Sequence, residues 1–287
     1  SVKGNIDEKF LSEMREIQAS YNYEAVIPVN ESNLKKVKPT KLSKLNSGMI
    51  EIKPSIVRQV TKIESRECGT YSSGPLVAVS LGKFIPFDKT ATIPHFAIDK
   101  FPVTNEDFFK FLKSSGYKPI DETNFLAHWH NGEIPAGKER HPVVYVDIND
   151  ARAYASWAGK RLPAEEEWQY VAHGYSWPTY PWGNELEKDK YNSGNGTTPV
   201  DAFPAGASQF GCMDMCGNTW EMTESEYSDE HNRFIMLKGG SYFDAATSHW
   251  YVKGGPMPSD VSTKFLLMYP GLDRCSTIGF RCVQDLS

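Results

Sequence analysis

The chain has 287 residues, 40% of them hydrophobic and 13% aromatic, with a formal charge of -5. That length buries a substantial core, as one large domain or two small ones, and the composition excludes a disordered chain. Lysines and arginines are scattered, which excludes a nucleic-acid footprint, and no run of about 18 apolar residues offers a transmembrane segment.

The chain starts at Ser1 without a methionine or a signal-peptide pattern, so a processed or truncated amino terminus is expected. Asp7 to Ser20 places Phe10, Leu11, Met14 and Ile17 at helical spacing behind an acidic start, which predicts a short amphipathic helix. Pro28 to Ser47 is polar and carries Lys35, Lys36, Lys38, Lys41 and Lys44; it reads as a solvated connector. Short alternating strands follow at Met49–Lys53, Ile56–Val60 and Leu76–Ser80. The expected division is therefore an amino-terminal segment over 1–47 and a main domain over 48–287.

Three helices are predicted in the main domain. Thr104 and Asn105 cap the first, which carries Phe108, Phe111 and Leu112 and ends at Gly116. Asn149 or Asp150 opens the second, with Ala151, Tyr154, Ala155 and Ala158 on one face and Gly159 at its end. The third begins at Pro163, whose missing N–H costs nothing in a first turn, and Glu165, Glu166 and Glu167 complement the positive helix end. Beyond Gly174 the chain is rich in Gly, Pro, Asn, Asp and aromatics, so few strands and long loops are expected. Loops of that length need a tie, such as a metal ion or dense side-chain hydrogen bonding.

The five cysteines are Cys68, Cys212, Cys216, Cys275 and Cys282, which allow at most two internal disulfides. Cys212 and Cys216 have no second Cys/His pair nearby, so they do not outline a zinc site. His128 and His130 have strand spacing, and with His141 before Pro142 they read as structural, hydrogen-bonded residues. No Gly-x-Ser-x-Gly elbow, phosphate-binding Gly-Lys loop or His-Glu-x-x-His helix is present.

Several blocks share one order along the chain: Ala97–Asn105, His141–Val146, Asp150–Glu165, Tyr180–Asn184, Gly217–Glu221, Lys238–Tyr242 and Ile278–Cys282. Together they resemble the formylglycine-generating enzyme (sulfatase-modifying factor) superfamily over roughly residues 48 to 285. The resemblance implies an α+β, C-type-lectin-like fold with little regular secondary structure. Oxidase members carry two cysteines, a few residues after the Gly-Gly-Ser block and five positions further on, and bind copper(I) through both thiolates. Here those positions hold Asp244 and His249. An acid and an imidazole are harder ligands and supply no sulfur nucleophile, so no copper is expected and formylglycine generation is not.

The resemblance also implies a loop calcium at the Gly-Asn-x-Trp-Glu block. Its ligands would be Asp214 and Glu221 by side chain and Gly217 and Thr219 by carbonyl, a hard-oxygen set suited to that ion. A pairing of Glu221 with an arginine is the competing role for that carboxylate. A second site at Asn192 and Ser193 would precede a shortened loop. Ser241, His249, Trp250, Tyr251, Lys253, Asp273 and Arg274 gather polar and aromatic groups beside the blocks that line the family cleft. Such a lining suits a small-molecule, glycan or peptide ligand, with Arg274 able to grip a carboxylate or sulfate and His249 able to act as acid or base. The expectation is a non-oxidase family member that binds a ligand in a remodelled cleft, with a structural calcium. The alternative is a metal-dependent oxidoreductase or hydrolase acting through Asp244 and the His249 region, and a third reading draws thiols from Cys275 or Cys282. Secreted family members imply an extracytoplasmic setting, periplasmic or secreted.

Overall fold

Strand patterning begins at Gly48, whose φ of 87° lies in the left-handed region that turns the chain into the first strand. The computed structural model describes Ser12, Glu13, Arg15, Glu16 and residues 48–64, 84–228, 233–244 and 254–286. The chain forms two compact units, Ser1–Lys38 and Pro39–Ser287. In the first, Ser12, Glu13, Arg15 and Glu16 are helical and exposed. The rest of the expected Asp7–Ser20 helix, the whole Pro28–Ser47 connector and the strand at Leu76–Ser80 lie outside the described residues.

In the second unit, β1 (Met49–Ile52), β4 (Phe96–Asp99) and β11 (Val283–Asp285) form a sheet in the order β1-β4-β11. A six-stranded sheet runs β10-β5-β6-β9-β2-β3, with β2 Ser55–Glu64, β3 Phe84–Ile93, β5 Trp220–Ser228, β6 Arg233–Lys238, β9 Val261–Leu267 and β10 Ile278–Gly279. Its neighbours pair antiparallel except β10 with β5 and β2 with β9. A third pair joins β7 (Gly240–Ser241) to β8 (Gly255–Pro256). The region after Gly174 is thus more regular than expected. β6 reads Arg-Phe-Ile-Met-Leu-Lys, buried at every position but the first, and a run apolar on both faces shows neither strand nor helix periodicity.

The helices start where capping chemistry dictates. In α1 (Asn105–Ser115) the Asp107 N–H donates to Thr104 Oγ1 at 3.2 Å, and the Thr104 N–H donates back to the Asp107 carboxylate. Gly116 closes it at φ 66°. α2 (Ile148–Trp157) begins earlier than expected: Asp147 is its cap, accepting from the Asn149 and Asp150 N–H groups, while Asp150 reaches back to the Asp147 N–H at 2.8 Å. α3 spans Glu165–His173, its Ala164 N–H donating to Glu167 at 2.8 Å. A short α4 covers Pro270–Asp273.

Two apolar clusters carry the packing. Phe108, Phe111, Tyr154 and Phe280 interlock between α1, α2 and the carboxyl-terminal strands, with ring centroids 5.2–6.4 Å apart. Ile52, Phe96, Ile98 and Val283 of the small sheet pack with Ile93 at the end of β3 and with Trp168 and Val171 of α3. His173, 5% exposed at the end of α3, has its Nδ1 2.8 Å from Pro178 O, and burial pushes its imidazole down to about 4. A base depressed from 6.5 is neutral in the fold and protonated in the unfolded chain between those pH values, so its contribution is lost as pH falls through that window. The expected loss is about 3 kcal/mol, at 1.36 kcal/mol per pH unit. Ring-proton NMR should find this histidine titrating near pH 4, and His173→Gln should flatten the acid limb of the stability curve.

Candidate functional site

The loop before β5 turns tightly because Asp214, Gly217 and Asn218 adopt φ values of 61°, 77° and 57°. A side chain at Gly217 would meet Asn192 O at 3.2 Å and the Tyr191 ring at 3.4 Å, so the turn needs glycine in both conformation and space. Asn218 ties the loop down. Its Nδ2 donates to Asp214 Oδ2 at 2.6 Å and Thr198 O at 3.1 Å, and its Oδ1 accepts from the Thr198 N–H and from Asn192 Nδ2, both at 3.0 Å. Asn192 also accepts from the Gly194 N–H and donates to Gly196 O, which commits it to its own loop. Ser193 beside it is exposed.

Glu221, 1% exposed, faces Arg281, 0% exposed, in a bidentate pair. Nε donates to Oε2 and Nη2 to Oε1, both at 2.6 Å, and Trp168 Nε1 adds a third bond at 2.7 Å. Arg281 Nη2 continues to Met213 O at 2.9 Å, so the pair locks the loop to the end of the chain. Burial, with the Glu221 carboxylate nearby, pushes the Asp214 carboxyl up to about 8.

The donor types are those calcium takes. Two carboxylates and an irregular loop supply hard oxygens, and among the described residues the Gly217 and Thr219 carbonyls accept no loop hydrogen bond. Glu221 Oε1 accepts one bond from Arg281 and keeps a lone pair, so pairing with arginine and ligation of a cation are compatible uses of this carboxylate. Asp214, Glu221 and the two carbonyls would hold the ion, which would supply charge neutralisation and a cross-link, not chemistry on a substrate.

Of the residues expected at the ligand cleft, Ser241, Asp244, Asp273 and Arg274 are among the described ones. Ser241 is 1% exposed and donates to Phe243 O at 3.2 Å, which spends its hydroxyl inside the loop. Asp244 is exposed, and a Cβ on Gly255 would lie 3.6 Å from its Cγ, so it stands at the base of the β7–β8 connection. Tyr242 Oη donates to Ser276 Oγ at 3.1 Å, bringing Ser276 and Cys275 to the same end. Residues 245–253, with His249, Trp250, Tyr251 and Lys253, lie outside the described residues.

Arg274 departs from its expected role as a grip for an exogenous anion. Its side chain is 1% exposed and its donors are consumed: Nε to Asp150 Oδ2 at 2.8 Å, Nη2 to Asp147 Oδ2 at 2.8 Å, and Nη1 to Asp121 O at 2.6 Å and Thr123 O at 2.9 Å. It braces the start of α2 against the 121–123 segment, and nothing in the local sequence signals these partners. Asp273 is likewise internal: its Oδ1 accepts from the Met268 N–H at 3.2 Å, and its own N–H donates to Tyr269 O at 3.0 Å. Another buried network, Lys238 donating to Gln169 Oε1 and Ser262 Oγ at 3.0 Å each, was equally illegible.

His128 and His130 do not share a strand face: the segment is turns, and His130 pairs with Glu133 in an isolated bridge. His128 Nε2 lies 2.9 Å from Asn105 Oδ1, and His141 Nδ1 lies 3.0 Å from Thr197 Oγ1. Cys212, Cys216, Cys275 and Cys282 are free, and all but Cys275 are buried. Burial raises the thiols of Cys212, to about 12, and of Cys216 and Cys282, keeping them protonated.

A family model described as the sulfatase-modifying factor enzyme 1-like domain matches residues 57–286. An inactive C-alpha-formylglycine-generating enzyme 2 from Bos taurus is 34% identical over 208 residues, covering 55% of this chain and 69% of its own. The formylglycine-generating enzyme of Mycobacterium tuberculosis is 28% identical over 280 residues, covering 68% of this chain and 89% of its own. Among solved structures, PvdO from Pseudomonas aeruginosa superposes with a TM-score of 0.54 at 24% identity, over 83% of this chain and 94% of its own. CarF does so with a TM-score of 0.56 at 16% identity, over 86% of this chain and all of its own (100%). On these matches and its α+β architecture, the chain belongs to the sulfatase-modifying factor enzyme 1-like domain family.

Proposed function

We propose that this protein is a family member that does not generate formylglycine and that binds a glycan or peptide ligand in its remodelled cleft, with a calcium ion stapling the Asp214–Glu221 loop. The observation that carries the reading is Asp244 standing exposed where oxidase members place the first reactive cysteine. Of Cys275 and Cys282, the two thiols a rescue of the oxidase chemistry would recruit, Cys282 is 0% exposed with its thiol raised by burial, which leaves Cys275 without an accessible thiol partner from that pair and supports the same reading. The relatives from Bos taurus and Mus musculus whose names call them inactive, each 34% identical, are consistent with it. Among the described residues no helix is long and apolar enough to cross a membrane, and an extracytoplasmic setting belongs to the proposal.

Metal analysis of the purified protein tests this reading. Stoichiometric calcium without iron or copper is the expected result; bound copper or iron would favour the oxidative alternative instead. Calcium at 100 times its dissociation constant should raise the unfolding free energy by about 2.7 kcal/mol, and Asp214→Ala should abolish the increment.

A further inference from the structure

We propose that the carboxyl-terminal end of α1 forms a second binding site, separate from the cleft, for an amphipathic anion: an aryl or alkyl body carrying a carboxylate or sulfonate. A cavity of about 250 Å³ opens there, lined by Phe109, Leu112, Lys113, Gly116, Tyr117, Lys118 and Gly132. Phe109, Leu112 and Tyr117 are each partly buried and supply an apolar floor. The two charged residues of the lining are both lysines, so the site favours a ligand that is apolar at one end and negative at the other.

The local structure keeps those lysines available. At this helix end the Gly116 N–H bonds Leu112 O at 3.0 Å, and the Ser115 and Ser114 hydroxyls turn back to Phe111 O at 2.7 and 3.2 Å, away from the two lysines. Lys113 Nζ lies 4.7 Å from the centroid of the Phe109 ring, above the floor, and its contact with Glu133 is loose, at 3.7 Å between side chains 62% and 67% exposed. A pair of that kind contributes little and yields readily to a better-placed anion. Gly116 and Gly132 border the space, and a Cβ built on either meets nothing within 4 Å, so both backbones face open room. Tyr117 is fixed from behind by its bond to Asp150 at 2.9 Å and by ring contact with Phe111 at 5.1 Å, which keeps the floor formed without a ligand.

The test is a ¹⁵N-resolved NMR titration of the full chain with 4-phenylbutyrate, and in parallel with 4-phenylbutylamine, which has the same body and the opposite charge. Expected are saturable shifts of the Gly116, Lys118 and Gly132 amides with a dissociation constant of about 1 mM, as suits roughly a dozen heavy atoms. The amine should bind at least about fivefold more weakly, and Lys113→Gln/Lys118→Gln should erase the difference while leaving the fold intact. Equal binding of both compounds, shifts that do not saturate, or a charge preference that survives in the double variant would overturn the proposal.

Discussion

Replacing Arg281 with leucine is expected to cost about 3–5 kcal/mol of stability, the penalty typical of leaving one member of a buried ion pair alone. Glu221 would keep only the Trp168 N–H, and the Met213 and Asp99 carbonyls would lose their guanidinium donors. The double variant Arg281→Leu/Glu221→Leu should recover much of that loss, because two apolar side chains replace two desolvated charges. Urea unfolding of the four proteins in the cycle measures it. Calcium, if it occupies the loop, should shrink the deficit of the single variant by compensating the orphaned carboxylate. A single-variant loss below about 1 kcal/mol would show that the pair does not hold the loop.

Gly240→Ala should be comparably severe, and for a steric reason. Gly240 sits at φ 83°, and a Cβ there would lie 2.0 Å from Gly255 O and 2.9 Å from Met257 N, both backbone atoms that cannot swing aside. The left-handed conformation costs a non-glycine residue about 1–2 kcal/mol and overpacking a further 1–3 kcal/mol, so about 2–5 kcal/mol is expected. The register Gly240↔Pro256 and Ser241↔Gly255 would have to open, which would release the connection that carries Asp244. Denaturant midpoints give the energy, and amide exchange at Ser241 and Gly255 should rise well above that of β6. Protection unchanged at both amides would contradict the assignment.

What the sequence disclosed follows from the range of each interaction. Capping is local, so Thr104 and Gly116 marked both ends of α1. α2 was misplaced at its start because Asp147 and Asp150 are both good caps and bond reciprocally, leaving the true first residue ambiguous. β6 was missed as a strand because burial on both faces removes the alternation that identifies one. The site divides the same way. The Asp214–Glu221 loop is one contiguous block, so its turn is visible in the sequence, and the arginine pairing expected as the competing role of Glu221 is found with Arg281. The role of Arg274 was not legible: its partner Asp150 is 124 residues away, and a neighbouring aspartate at 273 suggested a cleft where the fold builds a brace. Long-range pairing of this kind leaves no mark on local composition.

The account stands most directly on what happens to a cysteine-containing sulfatase-motif peptide incubated with the protein under air, with copper(I) and a reducing thiol supplied. Mass spectrometry should find the peptide cysteine unchanged over a period in which a cysteine-pair family member converts it fully. Accumulation of the aldehyde above the protein-free control would mean that oxidase chemistry persists without the thiol pair, and would contradict the account.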